Sequence, residues 1–247
     1  MKPFALIATR AEDALADAEH AQFVRATGLA ADDLLRIRLE QAPLASWGLD
    51  LADVSGVILA GSPFTTSDPQ RDKSATQVRC ELELASLLDE IMAEDVPLLG
   101  ACYGVGTLGI HQGGLVDRTH GESAGPITVR LTEVGREDPL VRAAGLPVEF
   151  EAFVGHKEAV RTLPAHAALL ATGEACPVQM FRAGNRQYAT QFHPELDADG
   201  LADRLGAYLD SGYIEPDEYD GVVERARAAD VTASARVLRG FVELFGA

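Results

Sequence analysis

A short apolar segment that runs into a tightly bracketed cysteine constrains the fold of this chain most strongly. Residues 96–99 (Val-Pro-Leu-Leu) have the composition of a buried strand, and residues 100–104 (Gly-Ala-Cys-Tyr-Gly) follow directly. A small residue on each side of the cysteine lets the chain turn sharply, and Gly106 then opens a helix. Such a turn places the Cys102 side chain at the carboxyl edge of a sheet, where ligands bind in open α/β folds.

Strand and helix patterns alternate along the amino-terminal half of the chain. The apolar segments Phe4–Ala8 and Val57–Ala60 predict two further buried strands. Helices are expected around His20–Gly28 and from Thr76 to Glu94. The second helix is expected to bury one apolar stripe, formed by Val78, Leu82, Ala85, Leu88 and Met92. This β-α-β order implies parallel strands joined by right-handed crossovers.

The middle of the chain predicts antiparallel pairing instead. Segments Pro126–Thr132 and Val148–Val154 have strand composition and are separated by the turn-rich stretch 133–147. A hairpin is expected between Val178–Arg182 and Gln187–Phe192. Beyond this hairpin, apolar residues recur at helical spacing.

These patterns predict an α/β protein of the flavodoxin-like type. We expect a three-layer sandwich around a central, mostly parallel sheet, with a smaller antiparallel patch and a C-terminal helical extension. Residues 1–196 are predicted to form one domain. Residues 197–247 are predicted to form a helical extension packed on the same domain, because their apolar stripes are suited to covering a core.

Charge and cysteine content restrict the setting in which the chain works. Its formal net charge of −17 argues against nucleic-acid partners and against an anionic membrane surface. Cys80, Cys102 and Cys176 form no C-x-x-C pair and no even disulfide framework, which favours a reducing cytoplasm. The apolar run at the start is too short for a signal peptide, so we expect a soluble, cytoplasmic protein. Cys80 and Cys176 are expected to be core residues.

A histidine and a carboxylate accompany the bracketed cysteine. Residues 191–195 (Gln-Phe-His-Pro-Glu) place His193 and Glu195 two positions apart, on one face of the chain if this stretch is extended. An imidazole exchanges protons near neutral pH, and a carboxylate fixes its tautomer and orientation. With Cys102, these groups predict a nucleophilic acyl-transfer site. Neither a metal-binding cluster nor a phosphate-binding glycine loop is evident, so we expect no metal and no other cofactor.

Backbone N–H groups near the cysteine are candidates for an oxyanion hole. The N–H of Tyr103 follows Cys102 at the start of the predicted helix, whose amino end would also stabilise a thiolate. A second donor is expected from the loop 61–63 (Gly-Ser-Pro), because this loop also follows a strand and would lie beside the cysteine turn.

Together these segments resemble the class I (triad) glutamine amidotransferases, in particular the GMP-synthetase-type amidotransferase domain, expected here as a free-standing chain. The resemblance covers residues 4–196, and the triad motifs carry it. It implies that Cys102 attacks the side-chain amide of L-glutamine, giving a γ-glutamyl thioester and ammonia. It also implies that His193 accepts the thiol proton and delivers it to ammonia, that Glu195 holds His193, and that Gly61 and Tyr103 bind the oxyanion.

The same resemblance implies where the substrate binds. Segment 155–160 (Gly-His-Lys-Glu-Ala-Val) stands where the family has a serine-histidine-glycine-aspartate motif, and its backbone would contact the amino-acid end of the substrate. The candidate substrate-binding residues are Ser62, Gly106, His156, Lys157 and Glu158. Three of them differ from the family pattern, in which glycine, glutamine and aspartate stand at the positions of Ser62, Gly106 and Glu158.

Two other functions stay open at this point. The changes at Gly106 and Glu158 also suit a stand-alone γ-glutamyl hydrolase or peptidase that acts on γ-glutamyl conjugates. The chain is alternatively a regulatory amidotransferase subunit with latent activity, since glutaminase domains of this kind often need a synthetase partner to close the site. The expected protein partners are a second copy of the chain or a synthetase subunit, and the acceptor of the ammonia is left undefined.

Overall fold

The computed structural model describes residues 2–209 and 212–246. Residues 1, 210, 211 and 247 of the two predicted domains lie outside the described part of the chain. The strands are β1 (Phe4–Ala8), β2 (Leu34–Arg38), β3 (Gly56–Leu59), β4 (Leu98–Ala101), β5 (Leu115–Asp117), β6 (Glu122–Leu131), β7 (Glu149–His156), β8 (Ala159–Thr162), β9 (Ala168–Thr172), β10 (Met180–Ala183) and β11 (Gln187–Thr190). The α-helices are α1 (Asp13–Thr27), α2 (Ala75–Ala93), α3 (Tyr103–His111), α4 (Glu133–Glu137), α5 (Pro139–Ala143), α6 (Ala198–Ala207), α7 (Tyr219–Ala228) and α8 (Thr232–Phe245).

One nine-stranded sheet forms the centre of the molecule, in the order β2-β1-β3-β4-β11-β10-β9-β6-β7. Pairing is parallel from β2 to β11 and antiparallel from β11 to β7. Strands β5 and β8 pair antiparallel in a separate two-stranded sheet. The predicted α/β fold is confirmed, and the parallel half of the sheet contains the strand that leads into the cysteine turn.

Alternating side chains of the sheet build a core on each face. Phe4 and Leu6 of β1 pack with Phe23 of α1 and Phe241 of α8 in one cluster. Ile7 belongs to the opposite cluster, which apolar residues of α2 and α3 complete. Helices therefore cover both faces of the sheet, which confirms the three-layer sandwich.

Helix α2 buries a different face from the predicted one. Leu82, which the predicted stripe included, is 68% exposed. The residues that α2 buries are Gln77, Cys80, Leu84, Leu87, Leu88 and Ile91. Apolar residues occupy two neighbouring rows of this helix, and a polar contact selects one of them, because Nε2 of Gln77 donates to the carbonyl of Thr65 at 2.9 Å.

Several elements differ from the sequence prediction for local reasons. Helix α1 begins well before His20, and β2 lies in a segment where no strand was predicted. The stretch expected to be turns holds α4 and α5. Thr132 caps α4 by accepting from the N–H of Gly135, and Asp138 caps α5 by accepting from the N–H of Leu140. Both are regular signals of a helix start, so these two helices were predictable.

The C-terminal helices pack on the rest of the chain. Val237, Leu238 and Phe241 of α8 lie in the same cluster as the central strands. Helices α6 and α7 form a third cluster with residues such as Leu201 and Val222. A domain boundary at residue 196 stays a prediction. Within the described ranges, no helix has the length and apolar character needed to cross a membrane.

Two helical glycines offer a matched test of this packing. A Cβ added at Gly240 of α8 would lie 2.7 Å from the backbone nitrogen of Ala144, whereas at Gly221 of α7 it would meet only the flexible end of Arg225, at 3.5 Å. We expect Gly240→Ala to lower the free energy of unfolding by about 1–3 kcal/mol. Gly221→Ala should raise it by about 0.5–1 kcal/mol, because alanine favours helix. Urea unfolding measures both, and equal stability of the two variants would contradict this packing.

Candidate active site

Cys102 occupies a strained turn between β4 and α3. Its φ of 50° and ψ of −90° are unusual for a residue other than glycine. The turn is tight because a Cβ at Gly100 would lie 2.9 Å from Cα of Gly104. The backbone N–H of Cys102 donates to the carbonyl of Thr190 at the end of β11, at 2.7 Å. The half-buried thiol is therefore held at the carboxyl edge of the parallel strands, as the glycine pattern predicts.

His193 and Glu195 follow β11 and meet this thiol. The N–H of His193 donates to the carbonyl of Phe153 in β7, at 2.8 Å, which fixes the backbone. Nδ1 of His193 lies 2.8 Å from Oε1 of Glu195, and both side chains are buried. Cys102 and His193 line one cavity, and a Cβ at Gly61 would lie 2.7 Å from Cε1 of His193 and 3.7 Å from Cβ of Cys102. The structure thus places the three predicted residues close together, with His193 in contact with Glu195 and beside Cys102.

Charges around the imidazole set its protonation. Burial lowers the pKa of His193, but the charge of Glu195 and the Cys102 thiol outweigh burial and raise this pKa to about 9. Burial raises the pKa of Glu195, whereas the charges of His193 and Arg204 lower it to about 2. The histidine therefore favours its protonated form beside an ionised carboxylate.

The sequence analysis missed two arginines near this carboxylate, of which Arg204 contacts it directly. Arg204 of α6 donates from Nη1 to Oε1 of Glu195 at 3.1 Å and lies 3.4 Å from Oε2 of Glu19. Arg10, two residues after the end of β1, donates to Glu19 at 3.0 Å and to the hydroxyl of Tyr208 at 2.8 Å. The position of Arg10 at the carboxyl end of a parallel strand was a usable signal. The pairing of Arg204 depends on how α6 packs, and no sequence spacing encodes it.

Gly61 and Tyr103, the predicted oxyanion donors, both adjoin the thiol. A Cβ at Gly61 would lie 2.7 Å from Cε1 of His193 and 3.7 Å from Cβ of Cys102, so only glycine fits. Tyr103 is the first residue of α3, where backbone N–H groups lack intrahelical acceptors. The neighbouring Ser62 hydroxyl accepts from the N–H of Phe64 at 3.0 Å and from the hydroxyl of Thr9 at 2.7 Å, which stabilises the loop.

Two cavities open beside Cys102. The one named here the loop-side cavity is bounded by the loop after β3 and the segment after β7. It brings together all five predicted substrate-binding residues, namely Ser62, Gly106, His156, Lys157 and Glu158. The other, named the helix-side cavity, lies between His193 and α6, and Leu201 and Leu205 line it.

Glu158 and Lys157, two neighbouring substrate-binding candidates, both have contacts within the protein. The Glu158 carboxylate accepts from the N–H groups of Thr66 and Ser67, at 2.7 and 2.6 Å, and so clamps the loop after β3. A Cβ at Gly106 would lie 3.5 Å from this carboxylate and 3.3 Å from Oγ1 of Thr66. The carboxylate of Glu158 therefore faces the space that a longer side chain at Gly106 would enter. Lys157 places Nζ 4.8 Å from the ring centre of Tyr213.

His156 belongs to a buried polar cluster that spacing along the chain does not reveal. Its Nε2 lies 2.9 Å from Oε2 of Glu122, which also accepts from Gln179 at 2.7 Å, and its Nδ1 donates to the carbonyl of Glu158 at 2.9 Å. Potential metal-ligand atoms of Glu122, His156 and Cys176 lie within 4.8 Å of one another. Because hydrogen bonds occupy both ring nitrogens, the contacts favour a role in holding the segment after β7.

Gln191 is a further residue that the sequence analysis missed. Its side chain is buried and lines the loop-side cavity. Within the described residues, its Oε1 has no hydrogen-bond partner. A buried carbonyl oxygen without a partner is costly, so Gln191 is placed to accept a hydrogen bond from a ligand in this cavity. Its position one residue after Thr190, at the end of β11, was the available signal.

The three thiols differ in accessibility, which predicts selective labelling. Burial raises the pKa of Cys80 to about 11 and that of Cys176 to about 12. We expect iodoacetamide to alkylate Cys102 at neutral pH while the other two remain unmodified in the folded protein, since the thiolate is the nucleophile. Peptide mass spectrometry after a timed quench measures this, with urea-unfolded protein as the control. Equal labelling of all three in the folded protein would contradict the assignment.

Comparison with known proteins identifies the family. A family model described as glutamine amidotransferase class-I matches residues 34–201. The chain therefore belongs to the class I glutamine amidotransferases, which confirms the resemblance that the cysteine and histidine motifs carry.

Two curated relatives are similar to this chain over part of their length. GMP synthase [glutamine-hydrolyzing] of Hamiltonella defensa subsp. Acyrthosiphon pisum is 33% identical over 147 residues, which are 57% of this chain and 25% of that protein. A GMP synthase [glutamine-hydrolyzing] subunit of Thermoplasma volcanium is 29% identical over 148 residues, or 60% of this chain and 65% of its own length. The match thus spans about a quarter of the first relative and less than two thirds of the second.

Solved structures match over nearly the whole chain. A glutamine amidotransferase from Thermotoga maritima has a TM-score of 0.74 at 21% identity and covers 99% of this chain and 98% of its own. A glutamine amido transferase from Methylobacillus flagellatus has a TM-score of 0.71 at 18% identity, with 98% and 95% covered. At these identities the likeness shows the fold.

Proposed function

We propose that this chain hydrolyses the side-chain amide of L-glutamine to glutamate and ammonia through a thioester on Cys102. The observation that carries the proposal is that the strained Cys102 lines one cavity with a His193 ring whose Nδ1 lies 2.8 Å from Oε1 of Glu195. Membership of the class I glutamine amidotransferases supports the same chemistry.

The proposed first half-reaction forms the thioester. The raised pKa of His193 favours transfer of the thiol proton to its ring. The Cys102 sulfur then bonds to the side-chain carbonyl carbon, and N–H groups of Gly61 and Tyr103 bind the oxyanion that forms. As the carbon–nitrogen bond breaks, His193 returns its proton to the nitrogen, and ammonia leaves.

Water completes the proposed cycle. His193 takes a proton from a water molecule, whose oxygen attacks the thioester carbonyl. The carbon–sulfur bond breaks, the proton passes back to sulfur, and glutamate leaves with the thiol regenerated. Glu195 keeps the imidazole in one orientation through both steps, and Arg204 holds that carboxylate in place.

The loop-side cavity is the proposed site for the amino-acid end of glutamine. The free Oε1 of Gln191 is suited to accept from the ligand ammonium. Gly106 leaves room there, and the backbone after His156 borders the same space.

The curated relatives suggest which kind of protein receives the ammonia. GMP synthases [glutamine-hydrolyzing] match this chain over part of their length, and the Thermoplasma volcanium relative is itself one subunit of such a synthase. We therefore place a separate synthetase polypeptide as the partner. Three unpaired cysteines favour the cytoplasm as the setting.

Product analysis tests the proposed function. The purified full chain is incubated with L-glutamine, and glutamate and ammonia are quantified over time, with L-asparagine as the substrate control. We expect equal amounts of both products from glutamine and far less turnover of asparagine, whose shorter side chain places the amide away from the thiol. Failure to hydrolyse glutamine or any other γ-glutamyl amide would overturn the proposal.

A further inference from the structure

The two cavities beside Cys102 meet at its thiol. Four residues line both of them: Ser62, Cys102, Gly155 and Tyr213. His193 lines only the helix-side cavity, whereas Tyr103 and Gly106 line only the loop-side cavity. A substrate bound at the sulfur can therefore extend in two directions.

The proposed chemistry assigns one direction to each part of the substrate. The general acid has to reach the leaving nitrogen, and His193 faces the helix-side cavity. The acyl part and its amino-acid end have polar partners in the loop-side cavity, among them Gln191 and the segment after β7. Any group attached to the leaving nitrogen would thus enter the helix-side cavity.

The lining of the helix-side cavity is apolar. Leu196, Leu201, Leu205, Val154 and Ala124 contribute to it. Ammonia is the size of a water molecule and gains little from such a lining, whereas an alkyl group gains from every methylene that it buries.

Its two cations are already engaged. The Arg10 guanidinium donates to Glu19 and Tyr208, and that of Arg204 donates to Glu195 and Gln22. Both arginines therefore have partners that balance their charge, and an anionic leaving group would find no free counter-charge among the described lining residues. The lining favours a neutral hydrocarbon group.

We propose that the helix-side cavity binds the amine part of γ-glutamyl alkylamides, and that this chain hydrolyses these amides in preference to glutamine. The inference rests on the proposed thioester chemistry and names its substrate class. Attack by Cys102 breaks the carbon–nitrogen bond of the secondary amide, and His193 protonates the nitrogen, so that a primary alkylamine leaves. Water then releases glutamate from the thioester.

A substrate series tests this preference. Glutamate release by the full chain is compared for L-glutamine and for γ-glutamyl methylamide, ethylamide and n-butylamide. Because each buried methylene adds about fourfold to transition-state binding, the three methylenes between the methylamide and the butylamide should raise kcat/KM by about sixtyfold when all are buried. Hydrolysis of glutamine with falling rates along the series would overturn the inference and leave the proposed function standing. No hydrolysis of any of them would overturn both.

A change in the cavity lining provides the second test. In Leu205→Phe we expect the ratio of kcat/KM for the butylamide over glutamine to fall about tenfold, because the larger ring occupies the space of the alkyl group. Leu82→Phe, on the exposed face of α2, should keep the wild-type ratio. Each ratio is taken within one variant, so partial loss of folded protein cancels. An unchanged ratio in folded Leu205→Phe would contradict the assignment of this cavity.

Discussion

Cys102→Ala is expected to lower glutamine hydrolysis by about 10⁴-fold or more, to the level of the background reaction. Without the thiol no thioester forms, and the remaining groups only position water. Alanine is compatible with a half-buried turn next to Gly100, so the variant should remain folded. Glutamate release, with circular dichroism of the same sample, measures the effect.

Cys80→Ala is the matched control for this variant. Cys80 of α2 is buried in the core and lines neither cavity. The Cys80→Ala variant should therefore be somewhat less stable than wild type while turning over substrate at the wild-type rate. Activity in Cys102→Ala above about one-tenth of wild type would show that another group attacks the substrate.

Glu195→Gln is expected to lower kcat by about 10²–10⁴-fold. The neutral amide no longer favours the imidazolium, and its NH₂ group can stabilise the wrong tautomer of His193. Burial lowers the pKa of His193, but Glu195 and Cys102 together raise it to about 9, so Glu195→Gln should move the pH-dependence of kcat towards lower pH. The exposed Glu243→Gln on α8 is the control that should change neither quantity.

The pKa shifts of His193 and Glu195 determine how their contribution to the free energy of unfolding changes with pH. The folded pKa of His193 lies above its ordinary value of 6.5, so its contribution to stability is present below that pH and is lost as the pH rises through about 9. The contribution of Glu195 is present above 4.5 and is lost as the pH falls through about 2. Both contributions are fully present between pH 4.5 and 6.5. The free energies of unfolding of wild type and Glu195→Gln should therefore differ most in this range. A difference that does not vary with pH would contradict the ion pair.

Local patterns predicted the parts of the molecule that depend on neighbouring residues. Gly100 and Gly104 bracket Cys102 and allow a turn too tight for larger residues. A glycine-bracketed nucleophile after an apolar segment is typical of a strand-to-helix turn. His193 and Glu195 were expected to share a face of an extended segment, whereas Pro194 and Glu195 form a turn, so the two side chains meet through that turn. The oxyanion donors were expected from a helix start at Tyr103 and a strand end before Gly61, and the family resemblance added the substrate-binding candidates.

Long-range packing determined what the sequence analysis missed or placed wrongly. The buried face of α2 is an apolar row next to the predicted one, and it includes Gln77, which donates to the loop after β3. Arg204 and Tyr208 reach the site from α6 and the residues after it, about a hundred positions beyond Cys102 in the chain. Their role depends on how that helix docks, which residue spacing does not encode.

Trapping the acyl-enzyme tests the central claim most directly. The full chain is mixed with excess L-glutamine or γ-glutamyl n-butylamide, quenched in acid during turnover, and digested for peptide mass spectrometry. We predict that the peptide containing Cys102 carries the mass of one γ-glutamyl group with either substrate, and that hydroxylamine removes it, as expected for a thioester. Glutamate formation without an adduct on Cys102, in a quench fast enough to capture one turnover, would contradict the account.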